Sequence, residues 1–113
     1  SPTCPKIGID AMNVLKWGAR KRRDFNPQNL VSAIRYYKER GYDITVVFPA
    51  YTCIFTMLDH LPEMVDVLTG VSCQFAVMSK KNKSNDDKAL LRWIGQNPGA
   101  RVLSNDRFRD HLQ

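Results

Sequence analysis

Short apolar runs that end abruptly, separated by stretches of helical periodicity, leave this chain little choice of architecture. The clearest run is 43–49, where Ile44, Thr45, Val46, Val47 and Phe48 form a β-branched segment too short for a helix and closed by Pro49. Lys6, Ile7, Gly8, Ile9 and Asp10 form a second run that ends in a carboxylate. Residues 74–78, and then Arg101, Val102 and Leu103, predict two further strands.

Between these runs the apolar spacing becomes helical. Asn26 and Pro27 give an N-cap followed by a first-turn proline, Leu30, Val31, Ile34 and Tyr37 recur on one face, and Gly41 ends the segment. Ile54, Met57, Leu58 and Leu61 suit one short helix, and Met64, Val65 and Leu68 suit another between Pro62 and Gly70. A helix over 85–95 carries Leu90, Leu91 and Ile94 on its apolar side, with Trp93 read as core. After the fourth strand, Ser104 and Asn105 cap a terminal helix bearing Asp106, Phe108 and Asp110. The order β-α-β-α-α-β-α-β-α predicts an α/β fold with a mostly parallel sheet covered on both faces.

A chain of 113 residues has room for one such domain, spanning 1–113. No stretch approaches the roughly 18 to 20 consecutive apolar residues that a membrane span needs, and no signal-peptide pattern opens the chain, so a soluble, cytoplasmic domain is expected. Cys4, Cys53 and Cys73 show neither CxxC spacing nor a histidine partner, which argues against a disulfide framework or a zinc site and predicts buried small side chains. The net charge of +6 favours a polyanionic partner, with nucleic acid the leading candidate.

In an open parallel sheet, ligands collect beyond the carboxyl ends of the strands. Asp10 and Asp106 fall at or just past such ends, Asp86 and Asp87 open the helix after the third strand, and Asp110 lies one turn beyond Asp106. Helix N-termini favour carboxylates by about 0.3 to 1 kcal/mol without any function, which covers Asp86, Asp87 and Asp106 taken singly. Asp10 is harder to dismiss, because an acid ending an apolar strand is buried and needs partners. Together the five would repel unless a cation offsets their charge. Hard oxygen donors with no histidine or cysteine suit Mg2+ or Mn2+, which fits hydrolysis of a phosphodiester.

Two basic segments, Lys16, Arg20, Lys21, Arg22 and Arg23 after the first strand and Lys80, Lys81 and Lys83 after the third, are expected to flank the acidic rim and track a nucleic-acid backbone. Trp17 and Tyr51 are candidates for base stacking. Lys88 and Arg109 lie where they could meet a phosphate or pair with a neighbouring aspartate. Paired histidine catalysis by His60 and His111 is disfavoured by the placement of His60. An aspartyl-phosphate mechanism needs a second acid two residues after the nucleophile, where this chain has Met12.

The segments Ile9-Asp10-Ala11-Met12-Asn13-Val14, Asn85-Asp86-Asp87 and Ser104-Asn105-Asp106-Arg107-Phe108-Arg109-Asp110 resemble the NYN/PIN-like domain of the Regnase (monocyte chemotactic protein-induced protein) ribonucleases. The resemblance runs in order along nearly the whole chain, and its serine-asparagine-aspartate segment is the most specific part. It implies a PIN-like three-layer α/β/α sandwich with a central, mostly parallel four- to five-stranded sheet. It also implies a Mg2+-dependent endoribonuclease cutting single-stranded or stem-loop RNA in mRNA turnover or RNA silencing. The catalytic and metal-holding residues would be Asp10, Asp86, Asp87, Asp106 and Asp110, supported by Asn13 and Asn105.

Two departures bear on that expectation. The family usually places glycine and serine between the first aspartate and the asparagine, whereas Ala11 and Met12 stand here and remove a hydroxyl near the expected metal. The family domain also continues past its last aspartate, while this sequence stops at Gln113, as a truncated domain or a minimal member would. The rival expectation is a PIN-like pseudonuclease that binds RNA or protein without cutting. A homodimer and a larger parent protein or complex are compatible with either.

Overall fold

The computed structural model describes residues 4–18, 20, 26–48, 62–75 and 86–104, with 86–88 described by their backbone. Four strands, β1 (Lys6–Asp10), β2 (Asp43–Phe48), β3 (Ser72–Phe75) and β4 (Arg101–Leu103), form one sheet in the order β3-β2-β1-β4, with every neighbour parallel. Among the described residues four helices accompany them: α1 (Ala11–Leu15), α2 (Pro27–Glu39), α3 (Pro62–Leu68) and α4 (Asp86–Gln96). This is the α/β sandwich that the alternation of elements predicts.

Side-chain alternation along the central strands assigns the layers. Ile7 and Ile9 of β1, with Ile44, Val46 and Phe48 of β2, enter one core with Val14 and Leu15 of α1, Leu30, Val31 and Ile34 of α2, and Met64 and Val67 of α3. The intervening positions face the other way, where Val47 and Val102 meet Leu90 of α4 and Gly8 meets Trp93. Helices therefore cover both faces, as an all-parallel sheet requires.

The local signals in the sequence explain most boundaries. Asn26 accepts a hydrogen bond from the Gln28 N–H at 3.1 Å, Pro27 occupies the first turn of α2, and Gly41 leaves the helix at a φ of +76°. The helix α1 departs from expectation, since five residues following a strand carry too little periodicity to announce a helix. In α3 the buried pair is Met64 and Val67, and Val65, expected on the inner face, is 54% exposed.

The strand β3 begins two residues before the expected 74–78 segment, and 76–78 lie outside the described residues. Its register, Thr45 with Ser72 through Phe48 with Phe75, recruits Ser72 and Cys73, which no apolar pattern marks. As an edge strand it is exposed at all four positions. Cys73 is consequently an exposed free thiol, and so is Cys4, which corrects the expectation of buried cysteines; Cys53 lies outside the described residues. Although Cys73 is exposed as a residue, partial burial of its sulfur pushes the thiol above its ordinary value. The short helix expected over Ile54, Met57, Leu58 and Leu61, and the terminal helix after Ser104, also lie outside the described residues.

Candidate active site at the carboxyl edge of the sheet

Because every strand is parallel, their carboxyl ends share one edge, and Asp10 stands at the centre of it. Asp10 is the last residue of β1 and the N-cap of α1, so the chain turns from strand into helix at the carboxylate itself. The residue is 8% exposed. An acid so enclosed has to be held by hydrogen bonds. Its Oδ1 accepts from the Asn13 backbone N–H at 3.3 Å, the N-cap bond of α1. Its Oδ2 accepts from the Ser104 hydroxyl, also at 3.3 Å.

The second bond follows from register. Ile9 pairs with Leu103, so the next step along both parallel strands brings Asp10 and Ser104 together across 94 positions of sequence. Ser104, which the sequence marks only as a helix cap, is the residue whose bond to the Asp10 carboxylate no local pattern announces. The signal existed only jointly, in an acid ending one strand and a hydroxyl following another, and it needed the strand order to be known. Replacing Ser104 with alanine is expected to lower stability by about 1 kcal/mol or somewhat more, since the acceptor is charged and partly buried. Urea unfolding reads this, and an unchanged midpoint would mean that the bond contributes nothing net.

Asn13 stands beside Asp10. Besides its backbone bond to Asp10, its side-chain Oδ1 accepts from Trp17 Nε1 at 3.2 Å. Asn29, in the first turn of α2, donates to the carbonyls of Val14 and Trp17, both at 3.1 Å. The end of α1 is thereby tied to α2, and Asp10, Asn13 and Trp17 form one hydrogen-bonded chain. Lys16 caps the end of α1 remote from Asp10, and Arg20 is exposed beyond it.

The backbone of α4 brings its start to the same edge. Trp93 packs on Gly8 in the middle of β1, and Lys6, at the opposite end of the strand, reaches the Asn97 side chain beyond the helix at 3.3 Å. The helix therefore runs antiparallel to β1. From Trp93 back to Asp86 is ~10 Å of helix, and from Gly8 forward to Asp10 is ~7 Å of strand. Asp86 and Asp87 thus begin α4 on the rim that holds Asp10.

Among the described residues no three His, Cys, Asp or Glu side chains come together, and Asp10 is the one expected acid whose side chain is described. Asp106, Asp110, Asn105, Lys21, Arg22, Arg23, Lys80, Lys81 and Lys83 lie outside the described residues, as do Tyr51, His60, Arg109 and His111. What is present fits a hard divalent cation in kind, with the carboxylate oxygens of Asp10, the hydroxyl of Ser104 beside them, and a helix beginning with two aspartates at the same edge.

A four-stranded parallel sheet between two helical layers, with an enclosed aspartate at the end of its first strand, is consistent with a PIN-like α/β sandwich. The family model for the Zc3h12a-like Ribonuclease NYN domain matches residues 5–113. The chain belongs to that family of ribonuclease domains, whose substrate class is RNA. Neither a curated protein nor a solved structure matches the chain.

Proposed function

We propose that this domain is an endoribonuclease that hydrolyses RNA phosphodiester bonds with a divalent ion, Mg2+ or Mn2+. Asp10, Asp86, Asp87, Asp106 and Asp110 would hold the ion, with Asn13 and Asn105 in support. The observation that carries the reading is Asp10 itself, an enclosed carboxylate at the meeting edge of parallel strands in a chain of a ribonuclease family. A carboxylate with a purely structural role is more economically placed in solvent at a cap, where burial does not penalise its charge.

When bound, the cation supplies positive charge for the phosphate and lowers the pKa of a water. The chain's own residues set the geometry. The bonds from Asn13 and Ser104 fix the rotation of the Asp10 carboxylate. The packing of Trp93 on Gly8 helps to seat α4, the helix that begins with Asp86 and Asp87. Lys16 and Arg20, with Lys21, Arg22, Arg23, Lys80, Lys81 and Lys83, supply positive charge along which a single-stranded or stem-loop RNA can lie. In the cell the activity would serve cytoplasmic mRNA turnover or RNA silencing, from within a larger protein or complex and as a monomer or homodimer.

One observation favours a second reading, an RNA-binding relative that does not cut. Ala11 and Met12 are buried core residues of α1, so the segment after Asp10 brings no side-chain hydroxyl to the edge. Incubating the protein with a fluorescent single-stranded RNA in Mg2+ or Mn2+, beside an EDTA control, separates the two. Internal cuts that EDTA abolishes are the expected result. RNA bound and intact in every lane would leave the non-cutting reading in its place.

A further inference from the structure

Beside α2 and the last residue of β4 runs a groove of about 290 Å³ lined by Trp17, Ser32, Ala33, Tyr36, Tyr37 and Leu103. Three of the six are aromatic, and Tyr36 is 49% exposed, with the Arg40 guanidinium over one face of its ring. Trp17 is held by its indole N–H on Asn13, and Tyr36 and Tyr37 meet edge to face with centroids 4.9 Å apart.

We propose that this groove receives an unpaired nucleobase of the RNA whose backbone crosses the carboxyl edge of the sheet, an inference that rests on the ribonuclease reading. Two observations point to that occupant rather than to another apolar surface. The first is continuity. Trp17 is hydrogen-bonded to Asn13, which is bonded to Asp10, and Leu103 immediately precedes Ser104, which is bonded to the same carboxylate. Both walls of the groove thus lead to the candidate centre.

The second is charge. The Arg40 guanidinium lies over the Tyr36 ring, 3.4 Å from its centroid, and Lys16 and Arg20 flank Trp17 in the chain. Apolar rings bordered by cations suit a flat base on a phosphate backbone, since stacking takes the base while the cations meet its phosphates. A base in a duplex keeps its faces stacked on its neighbours, so the groove selects single-stranded RNA or the loop of a stem-loop.

The test uses the full chain carrying Asp10→Asn, in EDTA, so that binding is read without cleavage. Fluorescence anisotropy would compare a short single-stranded RNA, the fully paired duplex of the same sequence, and a sugar-phosphate oligomer of equal length lacking its bases. Tyr36→Ala is expected to weaken single-strand binding roughly 5- to 100-fold, through loss of one stacked base, and to leave binding of the base-free oligomer unchanged. Trp17→Phe, which keeps a ring, is expected to lose less, with thermal melting confirming that each variant is folded. Quenching of tryptophan emission by the RNA, but not by the base-free oligomer, is the accompanying signature.

If single-stranded RNA binds and neither substitution changes its affinity, the groove inference falls while the ribonuclease reading stands. If Tyr36→Ala instead dissociates a dimer in sedimentation, the groove is an interface between copies of the chain and the inference is overturned. If no RNA binds under these conditions, the groove inference falls, and EDTA-sensitive cleavage by the native chain decides the ribonuclease reading separately.

Discussion

Replacing Asp10 with asparagine is expected to abolish metal-dependent RNA cleavage while leaving the domain folded. Asparagine is nearly isosteric, caps helices about as well as aspartate, and keeps an oxygen to accept the Asn13 N–H. Its amide can also donate to Ser104, whose hydroxyl rotates to accept. The fold therefore keeps its hydrogen bonds and loses one negative charge. If that charge helps to hold a divalent ion against a phosphate, several kcal/mol of transition-state stabilisation go with it, a rate loss of about a hundredfold or more. Single-turnover cleavage at saturating Mg2+, beside a thermal melt of the same preparation, reads both quantities. An unchanged cleavage rate with an unchanged melt would reduce Asp10 to a helix cap and remove the central residue of the proposed site.

How far such a site could be read beforehand depended on whether its signal was local. The strand β2 was plain because five consecutive β-branched or aromatic residues preceding a proline have few other homes. Asp10 was plain because a lone acid terminates an apolar run, and its 8% exposure is the enclosure that pattern predicts. The strand β3 was displaced because an edge strand is selected by pairing with β2 rather than by its own hydrophobicity, and Ser72 and Gln74 carry none. The helix α1 was missed because it holds little more than one turn and is stabilised by burying Ala11, Val14 and Leu15. The bond between Asp10 and Ser104 was out of reach for a different reason. It depends on β4 adding beside β1 rather than beside β3, and strand order is a tertiary fact that no local pattern encodes.

Gly8→Ala tests a different dependence, the coupling of the rim to the packing beneath it, and is expected to be the most crowded alanine substitution among the described glycines. A Cβ at Gly8 would stand 2.6 Å from Trp93 Cζ3, 2.7 Å from Cε3 and 3.2 Å from Cη2. The indole is 4% exposed and has no solvent to swing into, and β1 is hydrogen-bonded on both sides, to β2 and to β4. Overpacking of this kind costs about 1–3 kcal/mol, and the opposite change, Trp93→Ala, costs about 3–5 kcal/mol. In a Trp93→Leu background the methyl has room, so Gly8→Ala should cost less there than in the native chain, a coupling that a double-mutant cycle in urea measures directly. The same contact helps to seat α4 on β1, beside the packing of Leu90 on Val47 and Val102, and α4 begins with Asp86 and Asp87. A displacement of ~1 Å at a catalytic group can cost about a hundredfold in rate. Cleavage by Gly8→Ala should consequently fall further than its folded fraction does, measured at a temperature where native and variant chains are both folded. Activity that merely follows the folded fraction would mean that the start of α4 is positioned by other contacts, and that the methyl strains the core without moving the rim.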